Sequence, residues 1–182
     1  GATYRMTDTT QLLPELRSAV TNPPPLAAGS HASPERVAQP LAGLHAAVTG
    51  GSRGIGFAIA QRLAAMGASL TLLGRDRERL FAAIAALPGA EVDAQVCDVG
   101  DETAVARSFA LVTRMKRPLA ILVNNAGAAR SAKFARTDLA LWDEMLRVNL
   151  TGAYLCTHAA LPALIAAPFA RVVNVASTAG LI

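Results

Sequence analysis

"LHAAVTGGSRGIGFAIAQRLAAMG", residues 44–67, decides the fold. It opens on a short apolar run, "LHAAVT", that reads as a buried strand. Gly50 and Gly51 follow and allow a sharp turn. Next come Ile55, Ile59, Leu63 and Met66 at spacings of 4, 4 and 3, the repeat of a helix, which Gly67 stops. A strand, a glycine turn and a helix in that order put unpaired helix N–H groups beside a strand end, where a phosphate can sit. Gly54 lets the backbone approach such a group, and Gly56 lets the helix pack close to the sheet. A glycine cluster alone equally suits a plain tight turn. The segments around it carry the argument further.

Downstream, the same alternation continues. "ASLTLLG" (68–74), "EVDAQVCDV" (91–99), "PLAILVNNAG" (118–127) and "ARVVNVAS" (170–177) read as strands. Between them lie helical segments. "DRERLFAAIAALPG" (76–89) has Asp76 near its start, and "DETAVARSFALVTRM" (101–115) has Asp101 as N-cap. The third, "DLALWDEMLRVNLTGAYLCTHAALPALI" (138–165), is long. Strands separated by helices imply right-handed crossovers and a parallel sheet covered on both faces. The expectation is an α/β, doubly wound, Rossmann-like fold with strands 1–5 only, incomplete at its C-terminal side. Ligands of such folds sit at the C-terminal strand ends.

The composition agrees. The chain has 182 residues, 52% hydrophobic and 16% charged, which excludes a disordered chain and leaves room for one core. With aromatics at 4%, that core must be built from Ala, Val, Leu and Ile. Residues 1–41 read as a short added leader before Met6 and a Pro/Ala-rich extension, with Ser33 and Pro34 as a helix start. Residues 42–182 read as the folded domain. No uninterrupted apolar run approaches the roughly 20 residues that span a bilayer, so no membrane partner is expected. Cys97 and Cys156 lie in apolar stretches and read as reduced core thiols of a cytoplasmic protein. The net charge of +4 comes from scattered arginines without interleaved aromatics, so no nucleic-acid partner is expected either.

Polar residues gather where the strands end. The second strand stops at Gly74-Arg75, where an acidic residue would take a ribose diol. Arg75 with Arg53 suits a 2′-phosphate instead, which favours NADP(H) over NAD(H). A solvated arginine is the plain alternative. Asp76, as an N-cap, should turn its carboxylate to the backbone. Asp98 can accept from an adenine amino group or cap a turn. Asn124 and Asn125 can stitch neighbouring loops together, and Gly127 lets the backbone approach a ribose. Asn149 sits inside the long helix, where asparagine is a poor helix former, so it either bends the helix or holds a water. Ser177 presents a hydroxyl past the fifth strand.

Together "TGGSRGIG", "NNAG", "VNLTG" and "VVNVASTAG" resemble the short-chain dehydrogenase/reductase family, in its single-domain subgroup with the TGxxxGxG loop. The resemblance covers residues 44–182. It implies hydride transfer between a nicotinamide cofactor and a carbonyl or alcohol, as in members that reduce 3-oxoacyl thioesters. It also implies a cofactor site at Gly50, Ser52, Arg53, Gly54, Ile55, Gly56, Arg75, Asp98, Val99, Asn124, Asn125, Ala126 and Gly127, with no metal. Ser177 would polarise the substrate oxygen, and Asn149 would hold a water of a proton relay. A homo-oligomer is expected.

The family's Tyr-x-x-x-Lys is absent: Tyr4 is followed four residues on by Asp8, and Tyr154 by His158. The chain therefore reads as the cofactor half of a reductase, alone or with a companion C-terminal fragment. A catalytically incomplete nucleotide-binding subunit is the alternative. A methyltransferase, which shares the glycine loop, is disfavoured by the paired asparagines and Arg75. Arg130, Lys133 and Arg136 form a basic loop, solvated or facing an acidic carrier.

Overall fold

The computed structural model describes residues 39–114, 117–130 and 134–177. The expectations for the N-terminal extension and for Lys133 lie outside the described residues.

Five strands form one sheet: β1 (His45–Thr49), β2 (Ser69–Gly74), β3 (Val92–Val96), β4 (Leu119–Asn124) and β5 (Arg171–Asn174). All four pairings are parallel and the order is β3-β2-β1-β4-β5. The chain thus starts in the middle, builds one edge, then crosses back to build the other. The crevice between β1 and β4 is the topological switch point.

The helices follow the expected alternation: α1 (Gly54–Ala65), α2 (Arg77–Ala85), α3 (Glu102–Val112), α4 (Leu139–Leu146) and α5 (Gly152–Ala166). Asp76 and Asp101 cap α2 and α3, each accepting from the N–H three residues on, and Asp138 does the same for α4. Each such cap is worth about 1 kcal/mol. Between α4 and α5 the residues Arg147–Thr151 form a π turn, so Leu139–Ala166 is one helix with a widened turn inside it.

Two cores flank the sheet. On one face Ala46, Val48, Leu70 and Leu72 pack with Ala60 of α1 and with Leu80 and Ala83 of α2. On the other, Ala47, Leu73 and Leu122 pack with Phe109 and Val112 of α3 and with Cys156, Ala160 and Leu164 of α5. Burying a leucine fully stabilises the fold by about 1.5–3 kcal/mol. On α1 and α5 the buried positions are mostly Gly, Ala and Cys, which lets these two helices approach the sheet closely.

Two details depart from the sequence expectation. Ile55, counted in the apolar stripe of α1, is 65% exposed; the buried residues of that helix are Gly56 and Ala60. Close packing on the sheet wants small residues, which leaves the larger Ile55 at the helix mouth. The helix Leu139–Ala166 is by length and composition alone apolar enough to cross a membrane, with a hydropathy of 1.2. Scattered polar residues break up the apolar run that the sequence test looks for. One face of α5, with Gly152, Cys156, Ala160 and Leu164, is buried. Across Leu139–Ala166, Leu139, Trp142, Leu150, Tyr154 and Ile165 are exposed, as is all of β5.

Candidate functional site

The site begins at the bend after β1. Gly50 and Gly54 hold φ of +63° and +55°, the left-handed region that favours glycine. A Cβ on Gly56 would run into the carbonyl of Gly50 and the amide of Asn125. Its close approach is therefore to the glycine loop itself rather than to the sheet. Arg53 stands at the N-cap of α1 without a side-chain hydrogen bond, and the first turn holds no acid. The N–H groups there lack the carboxylate that caps α2, α3 and α4, and they open toward an anion.

The β4 end is tied to this loop. The Thr49 hydroxyl accepts from the N–H of both Asn125 and Ala126 at 3.0 Å and lies 3.3 Å from the Val123 carbonyl, to which it donates. The Asn125 amide donates to the carbonyls of Thr49 and Gly50 at 3.0 and 3.2 Å. Asn124 is buried and works sideways. Its amide donates to Thr157 of α5 at 3.0 Å and to Asn174 of β5 at 2.9 Å. The two asparagines thus stitch neighbouring segments, as expected. Thr49 was not singled out; the signal for it was a hydroxyl at the last position of an apolar strand.

At the end of β2, Arg75 is exposed. Asp76 does turn inward: Oδ1 accepts from the Arg79 N–H at 3.1 Å, and Oδ2 lies 3.0 Å from Arg79 Nε. At the end of β3, Asp98 takes the turn role, accepting from the Gly100 N–H at 2.9 Å. Arg147 of the π turn also reaches both of its carboxylate oxygens at 3.4 Å. Val99 packs against Gly152, where a side chain would not fit.

These groups converge on one cleft of about 420 Å³. Gly50, Ser52, Arg53, Gly54, Ile55 and Gly56 line one side, Arg75, Asp98 and Val99 another, and Asn125, Ala126 and Gly127 the third. Gly74, Asp76, Arg79, Cys97 and Val148 line it too. Of these, Arg79 brings a further cation, missed because it lies a full helical turn from the strand end. Asn124 is not part of the lining. Cys97 lies on the floor of the cleft and Cys156 deeper in the core, both free. Burial pushes both thiols up, Cys156 to about 12, so neither is a ready nucleophile.

Asn149 and Ser177 stand apart from the cleft lining. Asn149 sits in the π turn, and its amide forms a reciprocal pair with the Ala128 backbone, 2.9 Å each way. The helix is altered at this residue, and the side chain is occupied by the loop after β4. Ser177 is exposed, three residues past Asn174 at the same end of the sheet. Tyr154 points away and stacks on His158, ring centroids 5.6 Å apart. Arg130 is exposed and pairs with Glu144 at 2.8 Å.

A glycine turn at a switch point, a helix mouth without an acidic cap and arginines at the next strand end complete a Rossmann-like domain. The family model described as short chain dehydrogenase matches residues 44–182. The chain belongs to the short-chain dehydrogenase family of oxidoreductases. It is 36% identical over 143 residues to the 3-oxoacyl-[acyl-carrier-protein] reductase FabG of Aquifex aeolicus, covering 77% of this chain and 58% of that protein. Two solved structures are also similar. One is a metagenomic short-chain oxidoreductase in complex with NADP, at TM-score 0.71 and 37% identity, covering 75% of this chain and 63% of that one. The other is an NADPH-bound short chain oxidoreductase from Pseudomonas aeruginosa PAO1, described as containing an atypical catalytic center. It has TM-score 0.71 and 40% identity, covering 74% of this chain and 54% of that one. The chain thus spans little more than half the length of these relatives.

Proposed function

We propose that this chain is the nucleotide-binding half of an NADPH-dependent oxidoreductase that reduces a ketone or 3-oxoacyl-type carbonyl. One observation carries the cofactor choice. Arg53, Arg75 and Arg79 all line the cleft around the end of β2, and the nearby acid, Asp76, is engaged by Arg79. A cationic pocket there suits a 2′-phosphate, whereas a free carboxylate would suit a ribose diol. The two similar structures described with NADP or NADPH support the cofactor reading, and the similarity to a 3-oxoacyl reductase supports the carbonyl substrate.

The donor set fits a dinucleotide. Gly54 leaves open space where a side chain would stand, and the helix mouth beside it can face a pyrophosphate. When bound, NADPH supplies the hydride. The work of the chain is to hold it and to shape its surroundings. The N–H groups of the glycine loop meet the pyrophosphate, and Arg75 with Arg53 pairs with the 2′-phosphate. Asn125 and Thr49 keep the β4 loop against the glycine loop. The Ser177 hydroxyl donates to the substrate oxygen and stabilises the charge that develops there. The Asn149 side chain pairs with the Ala128 backbone through both its oxygen and its amide and so holds the loop after β4 to the π turn.

Residues 1–182 contain no Tyr followed four residues on by Lys. The chain by itself is proposed to bind nucleotide without turnover. Thermal denaturation with NADPH, NADH or S-adenosylmethionine at equal concentration tests the reading. It predicts the largest upward shift with NADPH and none with the methyl donor. A shift with S-adenosylmethionine alone would contradict it.

A further inference from the structure

We infer that Arg79 is a positioning residue for cofactor choice: it holds the Asp76 carboxylate away from the ribose and thereby suppresses NADH binding. This rests on the nucleotide reading proposed above.

The observation is an acid in the wrong place for an NADP pocket. Asp76 follows Arg75 directly and lines the cleft. It lies two residues past Gly74, the end of β2, where a carboxylate would accept from a ribose diol. Its role as N-cap of α2 engages only one of its two carboxylate oxygens.

Its two oxygens are both engaged. Oδ1 caps α2 by accepting from the Arg79 N–H, and Oδ2 pairs with Arg79 Nε at 3.0 Å. One residue therefore holds the acid twice, through main chain and side chain. Asp76 is 47% exposed and Arg79 58%, so both can still exchange partners when a ligand arrives.

The cap and the ion pair differ in their consequences. The cap uses one oxygen and the backbone N–H of position 79, so it survives any residue there except proline. The ion pair governs the second oxygen. With Arg79 present, that oxygen is neutralised, and the same guanidinium adds positive potential at the cleft. Without it, Oδ2 is free to accept from a ribose hydroxyl and to repel a 2′-phosphate. An exposed pair of this kind has modest strength, so the effect is a graded bias.

The experiment is calorimetric titration of the chain, of Arg79→Gln and of Asp76→Asn/Arg79→Gln with NADPH and with NADH. Asn at position 76 keeps the helix cap while removing the charge. Arg79→Gln is expected to bind NADPH about fivefold more weakly and NADH about threefold more tightly. The double variant should lose the NADH gain. Loss of NADPH affinity in Arg79→Gln with no change for NADH would overturn the inference, because it would make Arg79 a simple phosphate contact. A gain in NADH that persists in the double variant would also overturn it. An unaltered chain that binds NADH as well as NADPH contradicts the NADPH reading, and the inference falls with it. Melting curves of the three proteins confirm that each is folded.

Discussion

Asn149 and Ala128 form a closed pair: the Asn149 side-chain oxygen accepts from the Ala128 N–H and its amide donates to the Ala128 carbonyl, both at 2.9 Å. The pair spans 21 residues of sequence and pins the loop after β4 to the π turn of the long helix. A Cβ at Gly127 would lie 3.0 Å from Asn149 Oδ1, so a side chain there would press on the pair and shift it by a few tenths of an ångström. Asn149→Ala should lower unfolding free energy by about 1–2 kcal/mol. Asn149→Asp, which keeps the acceptor and loses the donor, should fall between the two. Urea denaturation checks this, and an unchanged midpoint for Asn149→Ala would contradict it.

Thr49 is tested by an isosteric change. Thr49→Val leaves the N–H groups of Asn125 and Ala126 without their acceptor, at a cost of about 1–3 kcal/mol. Thr49→Ser keeps the hydroxyl and should recover most of that. The same pair of variants should weaken and then restore NADPH affinity, because the hydroxyl holds the β4 loop to the glycine loop.

Gly56 has no room for a methyl group. Gly56→Ala would push against Gly50 and Asn125 and spread the two loops that frame the cleft. Gly54→Ala meets no neighbour and only bears the strain of a positive φ, about 1 kcal/mol. Nucleotide titration should therefore show a near-complete loss of affinity for Gly56→Ala. If Gly56→Ala bound NADPH normally, the packing argument would fail.

His45 sets an acid-side stability slope. It is fully buried at the start of β1, with its ring nitrogens 2.8 Å from the Ser69 hydroxyl and 2.9 Å from the Thr71 hydroxyl. Desolvation lowers its pKa from 6.5 to about 4, against the pull of Glu91 and Asp93. The unfolded chain therefore binds a proton below pH 6.5 that the folded chain refuses until about pH 4. Stability should fall as pH drops through that window, by about 3 kcal/mol in all. Denaturation midpoints between pH 4 and 7 should show this fall, and His45→Gln should flatten it. A slope that His45→Gln leaves intact would assign the effect to the carboxylates.

The exposed apolar residues of α4 and α5, Leu139, Trp142, Leu150, Tyr154 and Ile165, together with the edge strand β5, predict self-association. Sedimentation velocity should show species larger than a monomer at micromolar concentration. A single monomeric boundary across the concentration range would contradict it.

What could be read in advance was what short-range chemistry determines. Asp76 and Asp101 were legible as caps because the cap bond spans three residues. β1, β2 and β4 were legible because buried parallel strands are near-continuous apolar runs. The glycine loop placed its own residues on the cleft because a left-handed turn demands glycine wherever it occurs. Asn149 marked a disturbance of the long helix, but the π form and its partners Ala128 and Asp98 were not legible, because they lie far away in sequence. Ile55 marked the helical repeat of α1 but is exposed at the cleft, because periodicity counts apolar residues and does not see that Gly56 and Ala60 make the closest contact. Arg79 escaped notice because a helical turn separates it from the strand end it serves.

Arg75 and its neighbouring arginines are proposed to make this an NADP(H) cleft. Calorimetric titration of the chain and of Arg75→Glu with NADPH and NADH tests it most directly. The account predicts that the unaltered chain binds NADPH at least about tenfold more tightly than NADH, and that Arg75→Glu erases the difference. Equal or tighter NADH binding by the unaltered chain, or an NADPH preference that survives Arg75→Glu, would contradict it.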